Sequence, residues 1–152
     1  MEHDELEQFL GSDETEAREK ELRSTILRDL LLFEYAGDRY AIAAANIESV
    51  VPWKAPVPVP GADARVGGVI QDRGRIVVVM THPTGRPDAK AQGEPRRVII
   101  CATPRGRVGL PASTTDAVAA VPLLSEPAAF SVHDSKIGPF TYLDPKAYTD
   151  AS

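Results

Sequence analysis

With 152 residues, 43% apolar and only 6% aromatic, the chain is one domain by length and large enough to bury roughly two-thirds of the surface its unfolded form exposes. Its 11 Gly and 13 Pro favour many short strands joined by punctuated turns over long helices. A formal charge of -5, a single cysteine (Cys101) and an acidic start argue against a disulfide, a zinc site built on several cysteines and a secretory signal; with no apolar run near the roughly 18 residues of a membrane span, the expected location is the cytoplasm.

The charge is concentrated at one end. Residues 1–30 hold ten acids against four bases, about minus six, while the other 122 hold twelve acids and thirteen bases. Such a segment reads as a solvated arm or as an interaction element for a basic partner. Leu6, Phe9 and Leu10 form one face of a helical turn within it. Ser12 before Asp13 and Glu14 is an N-cap with acids in the first turn, and Ala17, Leu22, Ile26 and Leu30 follow at spacings of four and five. This pattern predicts a helix over about 13–26.

Residues 30–35 read as a first strand, Gly37-Asp38 as a turn and residues 39–42 as its return. Residues 43–46 fit a short helical turn and 47–51 a third strand. Four prolines over residues 52–60 cannot donate steadily to a ladder, so an extended, polyproline-like crossover is expected; an SH3- or WW-type ligand has the same composition. Trp53, at this Pro-flanked corner, is either a packed lid or an exposed anchor.

Gly67-Gly68 then opens a central hairpin. Glycines at the start of a strand give up packing, which predicts a bulge or a close backbone approach. Asp72-Arg73-Gly74-Arg75 is its turn, and five apolar β-formers (76–80) predict a fully buried strand. A polar loop of about fifteen residues, 81–95, follows; loops of that length are usually mobile or functional. Residues 96–103 predict a buried strand, 104–107 its turn and 108–110 the return. The two hairpins with Arg-Gly turns suggest two barrel halves. Residues 116–121 carry a further strand.

Catalytic chemistry has little material. His3, His82 and His133 lie in the arm and two loops with no metal spacing, Cys101 sits inside an apolar run as a small core hydrophobe, and no phosphate-cradling Gly-rich loop is present. Arg73, Arg75, Arg86, Arg96, Arg97, Arg105 and Arg107 form a conceivable basic face, but single-strand binders also present stacking aromatics. At least part of the set Phe33, Tyr35 and Tyr40 reads as core, so nucleic acid is not the expected partner.

The central hairpin resembles the signature of the CheW-like domain family of bacterial chemosensory adaptors. Pro60, Gly68-Val69-Ile70, Arg73-Gly74 and the strand over 76–79 match it. Gln71-Asp72 stands where Asn-Leu is usual, and Met80-Thr81-His82 replaces the usual strand end. The opening hairpin with its Tyr40-Ala41-Ile42 strand is similar too, as is Val108-Gly109-Leu110. Ser49 takes the site of a family Glu, the acid lying one position early at Glu48. The second half departs further: residues 111–115 replace a Val-Asp, and residues 137–146 compress a closing hairpin and helix.

This resemblance covers about 29–148, leaving 1–28 as the acidic, partly helical arm. It implies an all-β fold of two small SH3-like five-stranded barrel subdomains. It also implies a non-catalytic adaptor without cofactor or metal, bridging a methyl-accepting chemoreceptor signalling tip and the regulatory domain of a CheA-type histidine kinase through an exposed strand edge and an apolar groove between subdomains. Partner contacts are expected at Ile47, Ser49, Val50, Gly68, Val69, Arg73 and Gly74. The alternatives are a diverged regulator that binds one of these partners, a small catalytic barrel using Cys101 or His82, and a nucleic-acid-binding barrel.

Overall fold

A computed structural model describes residues 26–85, 94–123, 126, 127, 129, 132–135 and 138–150. Residues 13–25 of the helix expected over about 13–26, and the middle of the 81–95 loop, lie outside the described residues. Ile26, expected to end that helix, instead begins a strand.

The elements in order are β1 (Ile26–Tyr35), β2 (Asp38–Ala43), a 3-10 turn (Ala44–Asn46), β3 (Ile47–Pro52), β4 (Val66–Asp72), β5 (Arg75–Met80), β6 (Arg97–Thr103), β7 (Gly106–Ala112), β8 (Thr114–Leu123), β9 (Val132–Ser135), β10 (Gly138–Leu143) and α1 (Lys146–Asp150). The strands form two five-stranded sheets, β8-β1-β2-β10-β9 and β3-β6-β7-β5-β4, the all-β pair of SH3-like subdomains that the resemblance implies.

The pairings reveal a repeat. In each half of the chain a hairpin (β1–β2, β6–β7) is followed by a strand that crosses to the other sheet and pairs antiparallel with the other hairpin's first strand, as β3 does with β6 and β8 with β1. A second hairpin then joins that same other sheet, its last strand running parallel to the resident hairpin: β5 beside β7, β10 beside β2. Each sheet is therefore built from both halves. The two Arg-Gly hairpins, β4–β5 and β6–β7, consequently lie in one sheet and are not two barrel halves. A turn motif is local, whereas sheet membership depends on distant partners.

Three apolar clusters explain the sequence pattern. Leu30, Leu32, Ala41, Val121, Leu123, Phe140 and Tyr142 fill the first sheet's interior. Ile70, Val77, Val79, Val98 and Ile100 fill the second. Between the sheets, Leu31, Phe33, Tyr35, Tyr40, Ile42, Met80, Ile99, Cys101, Val108 and Leu110 are among thirteen buried residues of a shared core. Side chains alternate across a strand, so the unbroken apolar runs in β1 and β6 mark strands that serve two cores at once. Each full burial of such a side chain is worth about 1.5–3 kcal/mol, which couples the sheets. β5 departs from its expected full burial: Ile76 is 64% exposed, because no described strand packs over its outer face.

The first turn is Ala36-Gly37 (φ 53° and 87°), one residue earlier than expected, with Tyr35 opposite Asp38. Arg73-Gly74 (φ 52° and 76°) turns the β4–β5 hairpin with the same paired positive φ, a type I′-like geometry that matches strand twist. At the head of β4 both readings of the Gly pair are found. The register shifts between Val66 and Gly68, and Gly68 (φ +146°) lies against the Pro-rich segment, where a Cβ would sit 2.4 Å from the Val57 carbonyl oxygen. Val57 and Val69 exchange two backbone hydrogen bonds of 2.9 Å, so the crossover returns along β4. Trp53 is half-buried against the second interior, a packed lid, and its backbone N–H donates to the Arg96 carbonyl at 2.9 Å.

Candidate functional site

The expected contact residues divide between two places. Ile47, Ser49 and Val50 lie on β3, one edge of the second sheet, while Gly68 and Val69 lie on β4, the opposite edge, with β6, β7 and β5 between them. Ile47 is half-buried and packs on the shared core. Ser49 is half-buried opposite Ile100, and Val50, opposite Ile99, is exposed. Gly68 is buried and Val69 half-buried under the crossover. The space between the sheets is filled by the shared core, so these residues do not line one open groove there.

Arg73 and Gly74 are exposed at the tip of the β4–β5 turn, and this turn shares an end of the sheet with the start of β3. Glu48, in the bulge where the β3–β6 register shifts between Ile47 and Ser49, ties that end together. Its Oε2 accepts from Arg107 Nε at 2.6 Å and its Oε1 from Arg75 Nη1 at 3.3 Å. The acid displaced by one position is thus committed to two arginines of its own sheet. Arg73 makes no hydrogen bond or ion pair with another described residue and projects into solvent as a fork of five donors. The ion-pair role of Glu48 had no local signal, since Arg75 and Arg107 are 27 and 59 residues away.

An apolar groove of about 370 Å³ opens beside this cluster, lined by Val66, Ile76, Val78, Met80, Val108 and Tyr148 and by Arg65, Arg105 and Arg107, with no acidic side chain among the described residues of its lining. It was not legible in advance, because it depends on Ile76 and Val78 facing outward.

The residues of the catalytic alternative are structural. Cys101 is fully buried, and burial pushes its thiol up to about 12, so it supplies no thiolate near neutral pH. His82 lies in the loop after β5, as expected, but is buried there at the shared core, edge-on to Tyr35 and Tyr40. Its Nδ1 lies 2.7 Å from the Thr84 Oγ1 and accepts the Thr84 N–H at 3.1 Å, while Nε2 faces the Tyr40 hydroxyl at 3.5 Å. The Tyr148 hydroxyl donates to the Pro83 carbonyl and latches α1 over this corner. Phe33, Tyr35 and Tyr40 are all buried, so none offers a face for base stacking. Among the described residues no group of three His, Cys, Asp or Glu is placed to hold a metal ion, and no helix is long and apolar enough to cross a membrane.

Comparison with known proteins agrees with this architecture. The family model for the CheW-like domain matches residues 29–140. Among curated proteins, the chain is 30% identical over 73 residues to a chemotaxis protein CheW of Bacillus subtilis (strain 168), a match covering 47% of this chain and 47% of that protein; the chain thus aligns with about half the length of that relative. Among solved structures it resembles the scaffolding protein TtCheW from Thermoanaerobacter tengcongensis, with a TM-score of 0.63 and 15% identity over 80% of this chain and 86% of the other. At that identity the likeness is one of fold.

Proposed function

The chain belongs to the CheW-like domain family, and on that premise we propose that it is a cytoplasmic chemotaxis adaptor. It works by binding alone and couples a methyl-accepting chemoreceptor signalling tip to the regulatory domain of a CheA-type histidine kinase. The observation that carries this reading is the family match over 29–140, which spans strands of both sheets and includes the Arg73–Gly74 turn. Arg73 is the natural clamp: an exposed, unpaired guanidinium on a rigid turn offers bidentate bonds to a partner's carboxylate or backbone carbonyls without first breaking an internal pair. Ile47, Ser49 and Val50 on the β3 edge, with Arg73 and Gly74 at the same end, form one contact surface; Gly68 and Val69 support the closure of the opposite edge.

The adaptor unit is taken as 29–148 in family terms, with residues 1–28 as the acidic arm. Ser49 in the Glu site and the commitment of Glu48 to Arg75 and Arg107 favour a diverged member in which one of the two interfaces is weakened. Calorimetric titration of the full chain with a receptor signalling-tip fragment and, separately, with a CheA-type regulatory domain tests the proposal. Saturable binding to both supports coupling, saturation by one supports the diverged regulator, and binding to neither overturns the adaptor reading.

A further inference from the structure

We propose that the arginine-lined groove over β5 is the docking site of this chain's own residues 1–25. Ile76, 64% exposed, and the half-buried Val78 present apolar surface that contributes no stability where it stands, and such patches mark interaction sites. Arg65, Arg105 and Arg107 surround it, and no acid is among the described residues of its lining. Arg65 is paired with Asp63, while Arg107 shares the single carboxylate of Glu48 with Arg75, so two guanidiniums on one acid leave net positive charge beside the groove. Its complement is an apolar element flanked by acids.

Residues 1–25 have that pattern. They hold nine acids and three bases, about minus six, and Leu6, Phe9 and Leu10 fall at helical spacing with Asp4, Glu5 and Glu7 beside them. The remainder of the chain is close to neutral, so no other segment offers a comparable excess. Reach is no obstacle. The sixteen residues from Leu10 to the start of β1 extend to at most about 55 Å, against a radius of gyration of about 15 Å for a domain of this size. Tethering also supplies an effective concentration on the order of millimolar, so a contact too weak to hold a free peptide is well populated within the chain.

The test uses the full chain carrying Gln8→Cys with a nitroxide label; Cys101, fully buried, does not compete for it. The expected result is a several-fold loss of amide signal at Ile76, Val78 and Arg105 relative to the reduced label, with little loss at Ala117 on β8. The loss should disappear in about 1 M salt, where exposed charges are screened within a few ångströms. It should disappear equally in two variants: Ile76→Asp with Arg105→Glu, both at exposed positions, and Asp4→Asn with Glu5→Gln and Glu7→Gln, which leave the folded unit untouched. Broadening spread evenly or centred elsewhere would overturn the proposal. So would broadening that survives both variants, or that passes from a labelled chain to an isotopically marked unlabelled one, since the occupant would then be a second copy.

Discussion

Replacing Gly68 with Ala isolates the closure of the second sheet. At φ +146° a Cβ enters a region that side chains rarely adopt, costing about 1–3 kcal/mol. The added Cβ would also stand 2.4 Å from the Val57 oxygen and 2.9 Å from the Pro56 Cβ. No rotamer relieves a backbone collision, so β4 and the crossover must separate. That loosens the two Val57–Val69 hydrogen bonds, each worth about 0.5–1.5 kcal/mol. Together these give about 2–6 kcal/mol, and at roughly 2–4 °C per kcal/mol for a chain of this length the melting temperature should fall by about 10 °C. Gly67→Ala is the control. Its Cβ would meet nothing nearer than the Thr81 Cγ2 at 3.4 Å, an ordinary contact. Thermal unfolding followed by far-UV circular dichroism compares the two. If Gly68→Ala melts within about 2 °C of Gly67→Ala, a gap below about 1 kcal/mol, the steric account is wrong. Gly68→Asp meets the same collision and should reduce receptor binding by opening this edge; affinity measured on the folded fraction separates that from loss of a direct contact.

Arg73→Ala should weaken binding to a receptor or kinase fragment while leaving the melting temperature unchanged, since the side chain is exposed and unpaired; a large drop in stability with intact binding by the folded protein would make its role structural. Glu48→Gln removes two partly exposed ion pairs and should cost no more than about 1 kcal/mol by denaturant titration, less at high salt; a loss of several kcal/mol would mean that the cluster carries the sheet's end. Burial raises the Cys101 thiol from 9.0 to about 12 and raises the Tyr148 hydroxyl above 10.0, so at alkaline pH the unfolded chain releases protons that the folded one keeps. Stability should be intact below about pH 9 and fall as pH rises toward 12, by up to about 1.4 kcal/mol per unit for the thiol; a Cys101→Ala variant should show a shallower slope, and equal slopes in the two proteins would remove the thiol from the account.

What the sequence alone determined was mostly local. The strands of the first hairpin, the central hairpin and β6–β7 were legible because short apolar runs bounded by Gly-containing turns have few other solutions. The need for glycine at position 68 was legible because a strand gives up packing only for a reason. The family signature rested on the same residues. Tertiary structure decided which hairpins share a sheet, because the two Arg-Gly turns are alike in sequence while the partners β3 and β6 are supplied by different halves of the chain. It decided that Leu30 to Phe33 look alternately into two cores, whereas Ile76, in an equally apolar run, faces solvent. It placed His82 at the shared core and set Val50 and Gly68 on opposite edges, although the resemblance implies them together as partner contacts. Periodicity and turn chemistry act between neighbours along the chain. Sheet order, burial and the pairing of Glu48 with Arg75 and Arg107 are set by contacts between residues far apart in sequence, which exist only once both halves have exchanged strands.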